Sequence, residues 1–491
     1  MAPQASLETD SPSCGRRLDL PAGEVGFATK YASALLASAG APPLDPASRA
    51  REESDLPPAL EWARSGAMAL TGSPDGPPLL APGPLASCAR GAVRALELLA
   101  GDDWRGDLDG PALLGERAAI FGLTRRGTAS PSGSCRLLAC RDGWIALNLA
   151  RPDDIALLPA WLEEAEVEID PSDPWPDLEH ELRSRSGRTL VERARLMGLP
   201  AAPVASPPHS PPALLGVDAC GTRRPRPSGE RPLVVDLSSL WAGPLCGQLL
   251  LASGARVIKL ESTARPDGAR FGPAAFFDLL NAGKRSAALD FGSSVGRRYL
   301  ARLLEAADIV VESARPRGLA QLGIDAREVL AGKPGATWVS VTGYGRREPE
   351  AGWVAFGDDA AAAAGLCAAL QSAQTEGGPP LFCGDAIADP LAGLHAAVAA
   401  LASWKSGGGR LLDVPLCASA AHALAFGAEG GSAQAPAGPE GVSTRDAEGS
   451  WQVVAAGRTE KVLPPRARTA QRRAPALGAD TEAVLRDLGI P

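Results

Sequence analysis

Leu233-Val234-Val235-Asp236-Leu237 is a short β-rich run, and the segments on its C-terminal side decide the fold. Residues 247–253 form a helical segment, and Val257-Ile258-Lys259-Leu260 returns to strand character. The alternation continues with a strand at 286–289, a helix at 295–306 and strands at 309–312 and 338–341. Strands and helices alternating at this spacing predict an α/β fold built on a doubly wound parallel sheet with right-handed crossovers.

Two Pro- and Gly-rich stretches punctuate the chain. Residues 200–232 hold nine prolines and read as an extended linker. Residues 427–449 are rich in Gly, Ala, Ser and Pro and read as a long loop. Ahead of the linker, residues 133–204 contain the strand-like Gly143-Trp144-Ile145-Ala146-Leu147-Asn148-Leu149 and amphipathic helices near 154–162 and 190–196, a small α/β domain.

Composition excludes several classes. With 45% hydrophobic and 22% charged residues over 491 positions, the chain is globular and long enough for two to four domains. A net charge of −8 argues against a nucleic-acid-binding surface, and Arg223-Arg224-Pro225-Arg226 is too short and Pro-broken to reverse that. Nine cysteines without CxxC or metal-finger spacing suggest reduced thiols in a cytoplasm, with no metal site. The beginning of the sequence lacks the apolar segment of a signal peptide. The apolar run 360–370 is too short to span a bilayer, and 386–404 is interrupted by Asp389 and His395, so no membrane association is expected.

An internal repeat is legible. Ser65-Gly66-Ala67-Met68-Ala69-Leu70, Gly76-Pro77-Pro78-Leu79-Leu80 and Gly83-Pro84-Leu85-Ala86 are echoed in order and spacing. The echo is Ala364-Gly365-Leu366-Cys367-Ala368-Ala369, Gly378-Pro379-Pro380-Leu381-Phe382 and Asp389-Pro390-Leu391-Ala392. A weaker one relates Leu18-Asp19-Leu20, Ala22-Gly23 and 35–38 to Val235-Asp236-Leu237, Ala242-Gly243 and 250–253. Where the second copy has Asp389, the first has Gly83.

Asp389 opens an apolar helix in Ala388-Asp389-Pro390-Leu391-Ala392-Gly393-Leu394-His395. Asp at the N-cap with Pro at N1 is an ordinary way to start a helix. The same placement holds an ionised carboxylate where unpaired N–H groups favour negative charge, and such a group can attack a thioester and form a covalent acyl intermediate. His395 reads as a packing residue, and Asp358 and Asp359 as caps of the 360–370 helix.

Several segments carry a family resemblance. Asp236-Leu237-Ser238-Ser239-Leu240-Trp241-Ala242-Gly243-Pro244 with Gly254-Ala255-Arg256-Val257-Ile258-Lys259-Leu260-Glu261 resembles the opening of family III CoA-transferases, the CaiB/BaiF family. Asn281-Ala282-Gly283-Lys284-Arg285-Ser286, Ala307-Asp308-Ile309-Val310-Val311-Glu312, Arg315-Pro316 and Thr342-Gly343-Tyr344-Gly345 come next in the family's order over roughly 233–416. Ala474-Pro475-Ala476-Leu477-Gly478 resembles the family's ending.

The resemblance implies a Rossmann-like fold with a smaller capping domain. It implies a CoA-transferase in which Asp389 is the catalytic nucleophile and acyl-CoA and a carboxylic acid acceptor are the partners. CoA is then a substrate, and no cofactor is permanently bound. By position, CoA would contact Trp241, Ala242, Ser262, Leu289 to Gly292, and Ser313, Ala314 and Arg315. Trp241 and Ser262 depart from the Gln and Arg frequent at those places, and Arg265, Arg270, Arg315 or Arg317 could supply phosphate-binding charge. The related racemases carry Gly-His-Asp where this chain has Ala355-Phe356-Gly357-Asp358-Asp359, which disfavours racemisation. An α-methylacyl-CoA racemase-like activity and a non-catalytic acyl-CoA-binding scaffold are the alternatives.

Family members usually carry the small domain after the nucleophile's helix; here it lies in the first half. The expected division is a degenerate, shortened half at 1–130, a capping domain at 131–205, a linker at 206–231, the catalytic CoA-binding domain at 232–425, a Gly/Pro loop at 426–450 and a return segment at 451–491. One chain would then assemble one composite site as a monomer, or two would form a homodimer.

Overall fold

The computed structural model describes residues 26–41, 56–163, 169–374, 377–427 and 440–490. The weaker repeat's first member, at 18–23, lies outside them. The first half supplies helices α1 (Phe27–Ser38), α2 (Pro58–Ser65), α3 (Leu85–Ala100) and α4 (Glu116–Phe121). A three-stranded antiparallel sheet comes next, β1 (Cys135–Cys140), β2 (Gly143–Asn148) and β3 (Ala201–Pro203). Helices α5 (Pro152–Ala156), α6 (Leu158–Leu162), α7 (Trp175–Glu181) and α8 (Gly187–Met197) lie between β2 and β3 in the chain. Leu138, Ile145, Trp161, Leu178 and Leu190 give this unit a core of its own.

The second half begins with β4 (Gly216–Asp218), β5 (Leu233–Asp236), α9 (Ala242–Ala252), β6 (Arg256–Ser262), α10 (Ala274–Asn281) and β7 (Arg285–Leu289). It continues through α11 (Ser294–Ala306), β8 (Ile309–Glu312), α12 (Pro316–Ala320), α13 (Ala326–Gly332) and β9 (Thr337–Thr342). Then come α14 (Gly357–Ala363), α15 (Leu366–Ser372), α16 (Ala388–Lys405), β10 (Arg410–Pro415) and α17 (Leu416–Ala425). The strands form one seven-stranded sheet in the order β4-β10-β9-β8-β5-β6-β7, parallel throughout except for β4. From β5 the chain winds outward through β6 and β7, then returns to the other side of β5 with β8. That reversal leaves a crevice at the carboxyl ends of β5 and β8, where open α/β sheets receive ligands.

Two stretches that read as loop contain sheet. The proline-rich segment supplies β3 and β4, and β4 closes the large sheet by pairing Gly216–Asp218 antiparallel to Asp413–Leu411. Proline at a strand end or on an edge costs no ladder hydrogen bond, so the prolines do not forbid it. The end of the 427–449 stretch forms β11 (Val442–Arg445), paired with β12 (Trp451–Ala455), which pairs in turn with β13 (Arg458–Lys461). The chain closes with α18 (Thr481–Asp487), whose Asp480 and Thr481 accept hydrogen bonds from Ser286 N and Ala288 N of β7. The helix expected over 360–370 is broken in two at Gly365, which has φ +95°.

Helix α16 is apolar on every side, and each residue from 390 to 404 is buried. A helix with no polar face must be covered all round. Strands β9 and β10 and helix α9 cover one side, while α17 and the first-half helices α1 and α3 cover the rest. His395 points into this packing and shares a 2.9 Å hydrogen bond with the Tyr31 hydroxyl of α1. Gly83, which the sequence pattern aligns with Asp389, precedes α3 and lies close to α17. A Cβ on Gly83 would overlap the main chain of Leu424, so no carboxylate fits there.

Beneath the crevice lies a buried ionic network drawn from the recurring motifs. Asp236 ends β5 and pairs with Lys284 Nζ at 2.8 Å; both side chains are wholly buried. Lys284 also donates to Pro244 O and Asn281 Oδ1 at 2.9 and 3.0 Å. Lys259 on β6 pairs with Asp267 at 2.8 Å and donates to Ser238 O, and Glu261 binds Arg270 and the Asp267 N–H. Burial acts to raise Asp236, but Lys284 and Lys259 hold its carboxyl below the usual range. Removing one partner of such a pair strands the other charge, at a cost of about 3–5 kcal/mol. Lys284→Met is therefore expected to lower unfolding free energy by roughly that amount in a denaturant titration.

Candidate active site

The turn entering α16 is strained. Ala386 takes φ +41°, a left-handed conformation uncommon for a residue with a Cβ. The cap position is Ile387, and Asp389 is the second residue of the helix, not its N-cap. Its carboxylate is thus not spent capping its own helix. Its Oδ2 lies instead against Gly357 at the start of α14, and the main chain of Gly357 and of Ala242, at the start of α9, favours its ionised form. A Cβ on Gly357 would overlap Asp389 Oδ2 and Ala386 O, so only glycine lets the two segments approach this closely. The start of a helix favours negative charge.

Three more carboxylates surround it. Asp385 binds Arg117 Nη1 at 2.7 Å, joining α4 of the first half to the turn before α16. Asp358 accepts from Ala386 N at 2.8 Å, across to that same turn. Asp359 accepts from Phe356 N at 2.9 Å and from Asn148 Nδ2 of β2 at 3.2 Å. Of the two expected helix caps, then, only Asp359 serves its own helix. Asp358, Asp359 and Asp385 are buried to 4%, 0% and 0% exposure, whereas Asp389 keeps accessible surface. Among these four, Asp389 is the one an incoming molecule can reach.

Burial pushes Asp389 up to about 7, with the Asp385 charge adding to the rise, against Arg117 and the Gly357 and Ala242 main chain. Burial, reinforced by Asp385, also puts Asp358 at about 7, and burial puts Asp359 there. Asp385 is raised by burial and opposed by Arg117. The Arg117 guanidinium lies 5.3 Å from the Phe121 ring centroid and 5.9 Å from that of Trp241. Phe276 meets both rings edge-on at 5.7 and 5.8 Å, forming an aromatic wall beside the carboxylates.

The residues expected to face CoA lie at the carboxyl ends of neighbouring strands. Trp241 and Ala242 come after β5, Ser262 ends β6, Leu289 ends β7, and Ser313, Ala314 and Arg315 come after β8. Across the crevice Ser239 N donates to Ser313 Oγ at 3.0 Å, and Ala314 N donates to Glu312 at 2.8 Å. Trp241 is buried beside Arg117, and its indole nitrogen has no hydrogen-bond partner among the described residues. Arg270 is committed to Glu261, at 2.6 and 2.8 Å, while Arg265, Arg315 and Arg317 are exposed. Sequence reasoning misses Arg117, Asn148 and Asp385. The first two sit 268 and 211 residues from their partners, and no local pattern announces them.

Residues 232–460 match the model of CoA-transferase family III. The chain is 31% identical over 211 residues to the succinate–glutarate CoA-transferase of Agrobacterium fabrum, covering 40% of this chain and 52% of that one. It is 32% identical over 203 residues to the succinyl-CoA–D-citramalate CoA-transferase of Chloroflexus aurantiacus, covering 39% and 50%. The formyl-CoA:oxalate CoA-transferase of an Escherichia coli strain is 30% identical over 180 residues, covering 35% and 42%. The chain thus spans about half the length of the curated relatives it matches. A crystal structure of a CaiB/BaiF family protein from Brucella suis superposes with a TM-score of 0.39 at 27% identity, covering 46% of this chain and 65% of that one.

The buried carboxyls impose a pH dependence on stability. A folded-state value raised to about 7 means that between roughly pH 4 and 7 the folded chain holds protons the unfolded chain has lost, so stability falls as pH rises through that window. Asp359→Asn keeps an oxygen for Phe356 N and Asn148 and removes the titration. Its Tm relative to the unaltered protein should be higher at pH 8 than at pH 5 by differential scanning calorimetry; an equal difference at both would refute the assignment.

Proposed function

We propose that this chain, whose residues 232–460 match the model of CoA-transferase family III, moves CoA from an acyl-CoA donor to a carboxylic acid acceptor with Asp389 as covalent nucleophile. One observation carries the reading: Asp389, partly exposed among buried carboxyls, has its Oδ2 against Gly357 at the start of α14, in a doubly wound α/β fold. Such a carboxylate is a nucleophile without needing a base.

The chemistry balances without a net proton. An Asp389 oxygen attacks the thioester carbonyl carbon, the C–S bond breaks, and CoA leaves as thiolate with the bonding pair. The thiolate attacks the Asp389 carbonyl of the mixed anhydride, giving an aspartyl-CoA thioester and releasing the first acid as carboxylate. The acceptor carboxylate attacks that thioester and expels CoA thiolate, which then takes the new acyl group and frees Asp389. Buried positive ends of helices, in low dielectric, favour the negative oxygens these steps generate.

CoA would lie over the segments after β5 to β8, touching Trp241, Ala242, Ser262, Leu289, Ser313, Ala314 and Arg315, with Arg265 and Arg317 available to its phosphates. The relatives' names point to small carboxylic acids as acceptors, and a cytoplasmic setting fits free CoA thiols. No helix of the described residues is long and apolar enough to cross a membrane. The contacts of Arg117 and Asn148 with Asp385 and Asp359 support reading the 50.3 kDa chain as a monomer with one composite site, the alternative being a homodimer. Sedimentation of active protein at one chain's mass is expected; activity confined to a dimer of about 100 kDa would overturn that arrangement.

Calorimetric titration with free CoA should give micromolar binding, about −8 kcal/mol. Asp389→Asn should keep that affinity while turnover falls by at least about a thousandfold. Because the nucleophile must be ionised, activity should decline as pH falls below about 7. Absence of CoA binding favours a scaffold, and α-hydrogen exchange of a 2-methylacyl-CoA in deuterated solvent favours a racemase.

A further inference from the structure

Arg195 stands on α8 of the small unit, outside the family-matched residues, and its guanidinium carbon lies 3.5 Å from the centroid of the Trp353 ring. The Tyr344 ring is 5.8 Å away and meets Trp353 edge-on at 5.5 Å, so two aromatic rings of the second half frame the cation. The other arginines stacked on rings among the described residues, Arg117, Arg136, Arg226, Arg270 and Arg445, each also donate a hydrogen bond. Arg195 donates none and pairs with no carboxylate among the described residues; its Nε is buried without a partner. Glu192 and Glu350 act on it only through space. The Tyr344 hydroxyl is likewise buried and unpartnered. Buried polar groups normally find partners, so two unmet ones in one aromatic cluster call for a partner from outside the chain.

The cluster lies close to the candidate nucleophile. Tyr344 comes two residues after β9, at the carboxyl edge of the sheet. A Cβ on Gly198, at the end of α8, would lie 3.8 Å from Arg315 Nη1, so this end of the small unit reaches the segment after β8. Trp353 is four residues before Gly357, which lies against Asp389 Oδ2, and four residues of extended chain span at most about 14 Å. We propose that Arg195 determines specificity in the transfer reaction by binding the free carboxylate of a dicarboxylic acid, the end not joined to sulfur. This rests on the reading of Asp389 as nucleophile. The planar guanidinium can meet a carboxylate with two parallel hydrogen bonds along its edge while its face stays on the Trp353 ring. Stacking already fixes that plane, so less side-chain freedom is lost on binding. A monocarboxylic acid of the same length leaves the guanidinium unmet, and a site built to hydrogen-bond a substrate group discriminates against the analogue lacking it.

The test sets diacids against monoacids of equal length, succinate with butyrate and adipate with hexanoate, as acceptors and as calorimetric ligands of the full chain. In the parent the ratio of diacid to monoacid kcat/KM should be at least about tenfold for one pair, and Arg195→Gln should bring it down by about that factor through KM, as loss of a charged hydrogen bond predicts. Arg195→Lys keeps the charge but not the fork; it should give an intermediate ratio and secures the comparison if the Gln variant fails to fold. A parent ratio near one, or a ratio unmoved in folded Arg195→Gln or Arg195→Lys, overturns the proposal. Free CoA should bind parent and Arg195→Gln alike; weaker binding to the variant would assign the guanidinium to a CoA phosphate and overturn it too. Calorimetry with the acids needs no turnover. A parent that transfers CoA to no acid counts against Asp389 as nucleophile, while diacid binding lost or kept in Arg195→Gln still decides the role of Arg195.

Discussion

Helix α16 cannot face water on any side, and much of the molecule is shaped by that. A wholly apolar helix lying on the sheet leaves its outer surface uncovered unless further elements wrap it. Here α1, α3 and α17 do so, and they join α9 and α16 in one continuous core. The price of this arrangement is electrostatic: the start of α16 abuts the core, so the carboxylate there is partly withdrawn from water. Desolvation alone would leave it protonated. The Arg117 charge and the main chain of Gly357 and Ala242 are what oppose that outcome.

The motif residues beneath the crevice divide into those that build and those that are available for chemistry. Asp236, Lys259, Glu261, Asn281 and Lys284 are all buried and bonded to one another or to main chain, so they fix the segments after β5 and β6 and have no reach toward a ligand. Buried ion pairs of this kind contribute little net stability but are costly to break. Their service is to hold main-chain groups in place: Lys284 grips Pro244 O in the first turn of α9, the same turn whose Ala242 faces Asp389. The ionic network and the candidate nucleophile are therefore linked through one turn of helix.

How much of this is legible in the sequence depends on range. Alternation of strands and helices from 233 to 342 specifies the sheet, because strand and helix periodicities are local. Asp389 stands out as a candidate nucleophile, but its capping geometry is misplaced by two positions, since Asp-Pro is an ordinary helix start and nothing local reports the positive φ of Ala386. Strands β4 and β11 read as loop because proline and glycine content outweighs pairing that only tertiary context supplies. Arg117 and Asn148 are invisible for a deeper reason. Each is an unremarkable polar residue in its own neighbourhood, and its role exists only where the two halves meet.

Read as copies of one sequence pattern, the two helix starts are not interchangeable. At α16 the helix start opens toward Gly357 and Ala242, leaving room for a carboxylate between main chains. At α3 the equivalent position faces the backbone of α17 so closely that Gly83 can carry no side chain. Packing this closely against α17 and hosting a carboxylate are mutually exclusive uses of one place in the pattern. A copy that adopts the first loses the second by sterics alone, whatever its sequence elsewhere. What the first copy retains is adjacency, and from there α4 carries a single cation back across the interface to the carboxylates of its counterpart.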